Sequence, residues 1–170
     1  IILIVGFVLQ SIVSTIVSTH AEYCWPYLLD FIKVALIAYF IVVLTTDFAK
    51  FRLVIMTIAL ALGLEQGKQG LFYLITKPGG PNNNPVPFLG DNNGVALGML
   101  MLVPLIGFLY QTSKRTLAKL FWGALFVGCL YRALSTYSRG GFIAAIGMGM
   151  AWWLFSYRKL RVGTMIVMLL

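Results

Sequence analysis

The residues with the clearest chemical potential lie in "YRALSTYSRGGFIAA", 131–145, where two arginines and two glycines sit between long apolar runs. Arg132, Ser135 and Arg139 are spaced i, i+3 and i+7, so an unbroken helix would carry both guanidinium groups on one face and converge them on one point. If the helix instead ends near Tyr137, Ser138 becomes the N-cap of the next helix, with Arg139 and Gly140 in its first turn. The N–H groups of Gly140 and Gly141 would then face outward beside a guanidinium at the positive end of a helix dipole. That second arrangement is an anion site suited to phosphate. The competing explanation is that both arginines extend to lipid headgroups. Asp91-Asn92-Asn93 is a second polar cluster, in which Asp91 suits a helix N-cap and three consecutive polar side chains exceed what a cap needs.

What must position these residues is a set of membrane helices. The chain has 170 residues, of which 60% are hydrophobic and only 11% charged, and its mean hydropathy is +0.91. So few charges do not clothe a soluble globule of this size, and the chain reads as an integral, all-α, polytopic membrane protein. A span needs roughly 20 apolar residues. The sequence offers Ile1 to Thr19, Leu28 to Thr46, Leu53 to about Thr76, Asn92 to Tyr110, Leu117 to Thr136 and Gly141 to Tyr157, with a seventh run starting at Val162. The first run lacks the basic start and small-residue cleavage site of a signal peptide, so it is read as a retained helix. Both ends lie within apolar runs, and the expectation is a segment of a longer polytopic protein.

Lys50, Arg52, Lys114, Arg115, Lys119, Arg158, Lys159 and Arg161 fall in alternate loops on one side, which the positive-inside rule makes cytoplasmic. The amino end then starts inside, and Arg139, with Arg132 near it in depth, lies on the outer side that this rule disfavours. The long connection "KPGGPNNNPVPFLGD" belongs to that side, and its Pro, Gly and Asn content fits an irregular loop. Gly63/Gly67, Gly94/Gly98 and Gly141/Ala145/Gly149 are spaced for close helix packing in lipid. Pro104 removes a hydrogen bond in the fourth helix and should kink it.

The other polar residues have sufficient structural explanations. Glu65/Lys68 and Asp30/Lys33 are i,i+3 pairs that neutralise each other. His20 has no base, nucleophile or metal partner in sequence range, and Cys24 and Cys129 have no spacing for a metal or a disulfide framework. Although the formal charge is +8, the basic residues are scattered over short loops and form no patch for nucleic acid. No Ser/His/Asp arrangement, HExxH, Walker loop or paired-acid metal motif occurs, so no metal or other cofactor is expected.

"EQGKQGLF", then "GLFYLITKPGGPNNNPVPFLGDNNGVALGMLMLVPLIGFLY", and after one more helix "LSTYSRGGFIAA" resemble the bacterial O-antigen ligase and Wzy-type polymerase superfamily. The similarity is greatest to its branch of putative O-glycosylation ligases associated with exosortase A systems. The shared order is a Gly-rich end of the third helix, an outer loop, an Asp-Asn-Asn helix start, a mid-helix proline and a serine-arginine-glycine turn. The resemblance runs from Leu53 onward and divides the chain into 1–85, N-terminal helices and the start of the outer loop, and 86–170, the first part of a ligase-like transmembrane core. It implies a multi-pass enzyme of the bacterial inner membrane that moves a glycan from an undecaprenyl pyrophosphate carrier to a lipid, protein or glycan acceptor on the periplasmic face. It also implies that Arg139 contacts the carrier pyrophosphate, the leaving group. Arg132, Ser138, Gly140 and Gly141 are expected around that pyrophosphate, and Asp91, Asn92 and Asn93 beside it. A further arginine and a histidine of the family's reaction centre have no counterpart before Leu170, which implies that residues 1–170 are inactive alone. Two other classes fit the same sequence: a transporter or flippase subunit for a polysaccharide or lipid-linked substrate, and a non-catalytic scaffold of an export complex.

Overall fold

The apolar runs fold as helices because the backbone of a chain this poor in charge must satisfy its own hydrogen bonds where water is absent. In the computed structural model, which describes residues 2–82, 84, 86 and 89–156, six helices follow one another. They are α1 (Ile2–Val17), α2 (Ala21–Leu44), α3 (Phe48–Thr76), α4 (Asn92–Thr112), α5 (Thr116–Leu134) and α6 (Arg139–Phe155). No strand occurs among the described residues; an isolated bridge pairs Val86 with Gly90 in the loop before α4. The seventh run from Val162, and Arg158, Lys159 and Arg161, lie outside the described residues.

Three helices, α2, α4 and α5, are long and apolar enough to cross a membrane, fewer than the six spans expected. The shortfall has two physical causes. At 1.5 Å per residue the 16 residues of α1 and 17 of α6 reach only about 24–26 Å, short of a hydrocarbon core of about 30 Å. Helix α3 has ample length at 29 residues, but Lys50 and Arg52 near its start and "EQGKQ" at 65–69 dilute its hydropathy.

By contacts the chain divides into two compact units, 1–54 and 55–170. The 85/86 boundary rests on resemblance and is a separate matter. In the first unit α1 packs on α2. Their large apolar side chains, such as Phe7, Val13, Val34 and Ile37, are mostly exposed, as a lipid-facing hairpin requires. A cleft of about 420 Å³ lies between them, where Ser11 and Thr15 donate back to the carbonyls of Phe7 and Ser11 at 2.8 and 2.9 Å. The expected Lys33–Asp30 pair forms at 2.8 Å, and in the second unit Lys68–Glu65 forms at 2.6 Å.

The second unit is centred on α4. Val95, Met99, Val103 and Ile106 are buried against Leu125 and Cys129 of α5, Ala59 of α3 and Ala145 of α6. Helix α4 runs unbroken through Pro104. Glycines set the spacing of its neighbours. A Cβ on Gly70 of α3 would land on the carbonyl oxygen of Gly128 in α5, and one on Gly128 would land on that of Gly67. Only hydrogen fits at that crossing. On the other side, a Cβ on Gly141 would stand 2.6 Å from the Ala96 methyl, so the starts of α6 and α4 lie against each other.

Candidate functional site

Helix α5 stops at Leu134 because hydroxyls on the following residues turn back onto it. Ser135 Oγ donates to the Arg132 carbonyl at 3.0 Å, and Thr136 Oγ1 to the Ala133 carbonyl at 2.7 Å. Tyr137 then takes left-handed backbone geometry, φ 54°, an uncommon conformation for a large side chain. The reversal brings Ser138 into the N-cap position of α6, where its Oγ accepts from Gly141 N–H at 3.0 Å. Of the two geometries open to the sequence, the capped second helix is the one adopted. The single face shared by Arg132, Ser135 and Arg139 does not form.

The same Ser138 hydroxyl donates to Asn93 Oδ1 at 2.7 Å. Asn93 Nδ2 in turn donates to Asp91 Oδ2 at 3.3 Å, and Asp91 Oδ1 caps α4 by accepting from Gly94 N–H at 2.9 Å. Two helix starts distant in sequence are thereby joined by one chain of hydrogen bonds. They enclose a cleft of about 720 Å³ lined by Asp91, Asn92, Asn93, Thr136, Tyr137, Ser138, Arg139 and Gly140. Six of the eight expected site residues therefore line one cleft. Thr136 and Tyr137 were not foreseen, and the signal for them was their place next to Ser138 in the turn.

Arg139 is exposed, and among the described residues its guanidinium makes no hydrogen bond and no ion pair, although Asp91 lines the same cleft. Both Asp91 oxygens are engaged in the first turn of α4. Two N-terminal dipole ends and one unpaired guanidinium therefore meet in an open cleft, a combination that attracts an anion. The lining contains no histidine, cysteine or lysine, so it supplies binding and charge rather than a general base titrating near neutrality. No group of acidic, histidine or cysteine side chains suited to a metal ion occurs among the described residues.

Two expected members behave differently. Gly141 N–H is consumed by the Ser138 cap and its Cα packs on Ala96, so it offers no donor to a ligand. Gly140 N–H is left as the forward donor of the pair. Arg132 is fully buried and turned away from the cleft lining. Its Nε donates to Gln66 Oε1 at 3.1 Å, Nη1 to the Asn82 carbonyl at 2.5 Å and Nη2 to the Asn84 carbonyl at 2.7 Å. The physical reason is competition: neutral acceptors from α3 and from the loop after it engage all three guanidinium nitrogens before the side chain reaches solvent. Gln66 and Asn82 were likewise unforeseen; a glutamine deep in an apolar helix was the available signal.

The geometry stands on its own, since comparison of the chain with protein-family models, curated proteins and solved structures found no match.

Proposed function

We propose that the chain is the anion-binding part of a membrane glycan ligase or polymerase-type glycosyltransferase, which moves an oligo- or polysaccharide from an undecaprenyl pyrophosphate carrier to an acceptor. The observation that carries this reading is the unpaired Arg139 at the start of α6, set against the start of α4 in one open cleft. In this reading Arg139 and the Gly140 N–H hold the pyrophosphate and offset the charge that grows on it as the glycosidic bond breaks. Ser138 and Asn93 hold the two helix starts together, and Asp91 fixes α4.

The topology that accompanies the proposal has six spans, a cytoplasmic amino end and the cleft on the periplasmic side of a bacterial inner membrane. Lys114 and Arg115 occupy the α4–α5 turn, at the opposite ends of those helices from the cleft, which agrees with the positive-inside rule. The shorter α1 and α6 are accommodated by flanking residues and local thinning of the bilayer.

The test is consumption of carrier-linked glycan by membranes containing the full-length protein at equal abundance. Arg139→Ala should lower turnover by about 10²–10³-fold, the usual consequence of removing one preorganised donor. Arg139→Lys, which keeps the charge and loses the planar fork, should recover part of it. Wild-type turnover by Arg139→Ala at equal abundance would remove the pyrophosphate role. Intact carrier-linked glycan crossing the bilayer without being consumed would favour the transporter reading.

A further inference from the structure

A buried guanidinium with no carboxylate partner is costly next to lipid, and it persists where its geometry is needed. The buried Arg132 has this character: its three hydrogen bonds all go to uncharged oxygens, one on α3 and two on the backbone of the loop that follows α3. That loop is pinned to the end of α5 by further bonds. Asn82 N–H donates to the Ser135 carbonyl at 2.8 Å, Gly79 N–H to Tyr131 Oη at 2.9 Å, and Tyr137 Oη to the Gly79 carbonyl. Tyr137 is the left-handed residue that reverses the chain into Ser138 and Arg139, and it lines the cleft. The loop that Arg132 fixes therefore holds the turn on which the anion site is built, at Ser135 through the Asn82 N–H and at Tyr137 through its hydroxyl.

We infer that Arg132 is a positioning residue for the cleft: by holding Asn82 and Asn84 it steadies the loop whose Gly79 carbonyl accepts from Tyr137, and Tyr137 fixes the direction in which Arg139 enters the cleft. This deepens the function proposed above and rests on it only for the identity of the anion. Lysine is no substitute, because one ammonium does not reach three acceptors that a planar fork meets along separate directions. The coupling predicts that damage at Arg132 or at the Tyr137 hydroxyl is felt at the α6 cap, although neither group touches Ser138 Oγ.

The experiment compares wild type with Arg132→Lys and Tyr137→Phe in lipid nanodiscs, by amide hydrogen exchange and by pyrophosphate affinity of the folded fraction. In both variants we expect exchange of Gly79 and Asn82, and also of Gly141 and Phe142, to rise about tenfold, as loss of one ordinary hydrogen bond gives. Inorganic pyrophosphate should bind about tenfold more weakly. A merely structural arginine would lower the folded fraction and leave the affinity of that fraction unchanged. Tyr137→Phe, the milder change, carries the test alone if Arg132→Lys does not fold. The inference is overturned if the loop amides open while Gly141 and Phe142 keep wild-type protection, or if nothing opens. Failure of the functional reading looks different: the exchange coupling holds, while Arg139→Ala binds pyrophosphate as wild type does.

Discussion

Adding one methyl group to Gly70 should destabilise the second unit far more than adding the same group to Gly67, one helical turn earlier. Alanine is the better helix former by about 1 kcal/mol at either position, so any loss measures packing. At Gly67 the new Cβ meets Leu125 Cδ1 at 2.5 Å and Cys129 Sγ at 3.3 Å. The first is the end of a flexible side chain, which can change rotamer at about 1 kcal/mol. The substitution should therefore come out near neutral. At Gly70 the obstacle is the backbone carbonyl of Gly128, with Arg132 Cβ behind it at 3.1 Å, and neither can swing aside. Helices α3 and α5 must separate by on the order of 1 Å before carbon and oxygen reach van der Waals distance. That movement stretches the Arg132–Gln66 bond and the contact of Cys129 Sγ with the Gly63 carbonyl. Overpacking against rigid structure costs about 1–3 kcal/mol, and weakening a charged hydrogen bond adds about 1 kcal/mol. Net of helix propensity, Gly70→Ala should lose about 1–3 kcal/mol and Gly67→Ala less than about 1 kcal/mol. Reversible unfolding in mixed micelles under increasing denaturing detergent gives both values. Equal stabilities, or a larger loss at Gly67, would refute backbone contact as the determinant of this crossing.

Ser138→Ala removes the α6 cap and the tie to Asn93 together. We expect it to lose about 1–2 kcal/mol of stability by the same unfolding measurement, more than an isolated cap of ordinary strength; a change of a few tenths would show that the two helix starts are not coupled through this hydroxyl. Asp91→Asn keeps an oxygen for Gly94 N–H but loses the charge, so stability should stay within about 0.5 kcal/mol of wild type. Its effect on pyrophosphate affinity then reads the charge alone, and a tighter complex is expected from removing a like charge. Reporter fusions should place Arg115 in the cytoplasm and Asn84 in the periplasm. The reverse assignment for either would overturn the outward placement of Arg139.

The helices and the starts of α4 and α6 were legible in the sequence because the forces that set them are local. Helices α2 and α3, by contrast, begin at Ala21 and Phe48, well before the apolar runs expected from Leu28 and Leu53, because helix continues through polar residues that run length does not register. Apolar run length fixes where the backbone must be helical. Asp91 and Ser138 cap α4 and α6 through N–H groups three residues ahead, a contact that depends on nothing outside the turn. The i,i+3 pairs Asp30–Lys33 and Glu65–Lys68 form for the same reason. The number of helices apolar enough to cross a membrane was less legible, since α1 and α6 stop at Val17 and Phe155, short of the ends of their apolar runs, and polar residues dilute α3. What only the tertiary structure decided is which polar groups stay free. Arg132 and Arg139 are the same residue type seven positions apart, and no local rule separates them. Arg132 meets acceptors 66, 50 and 48 positions away in the chain and is consumed, whereas Arg139 enters an open cleft with no partner among the described residues. Gly140 and Gly141 divide the same way, one N–H forward and one taken by the cap. The juxtaposition of the α4 and α6 starts arises from glycine-width packing of Gly141 on Ala96. A guanidinium goes to the acceptors within its reach, and folding, not spacing along the chain, determines which those are.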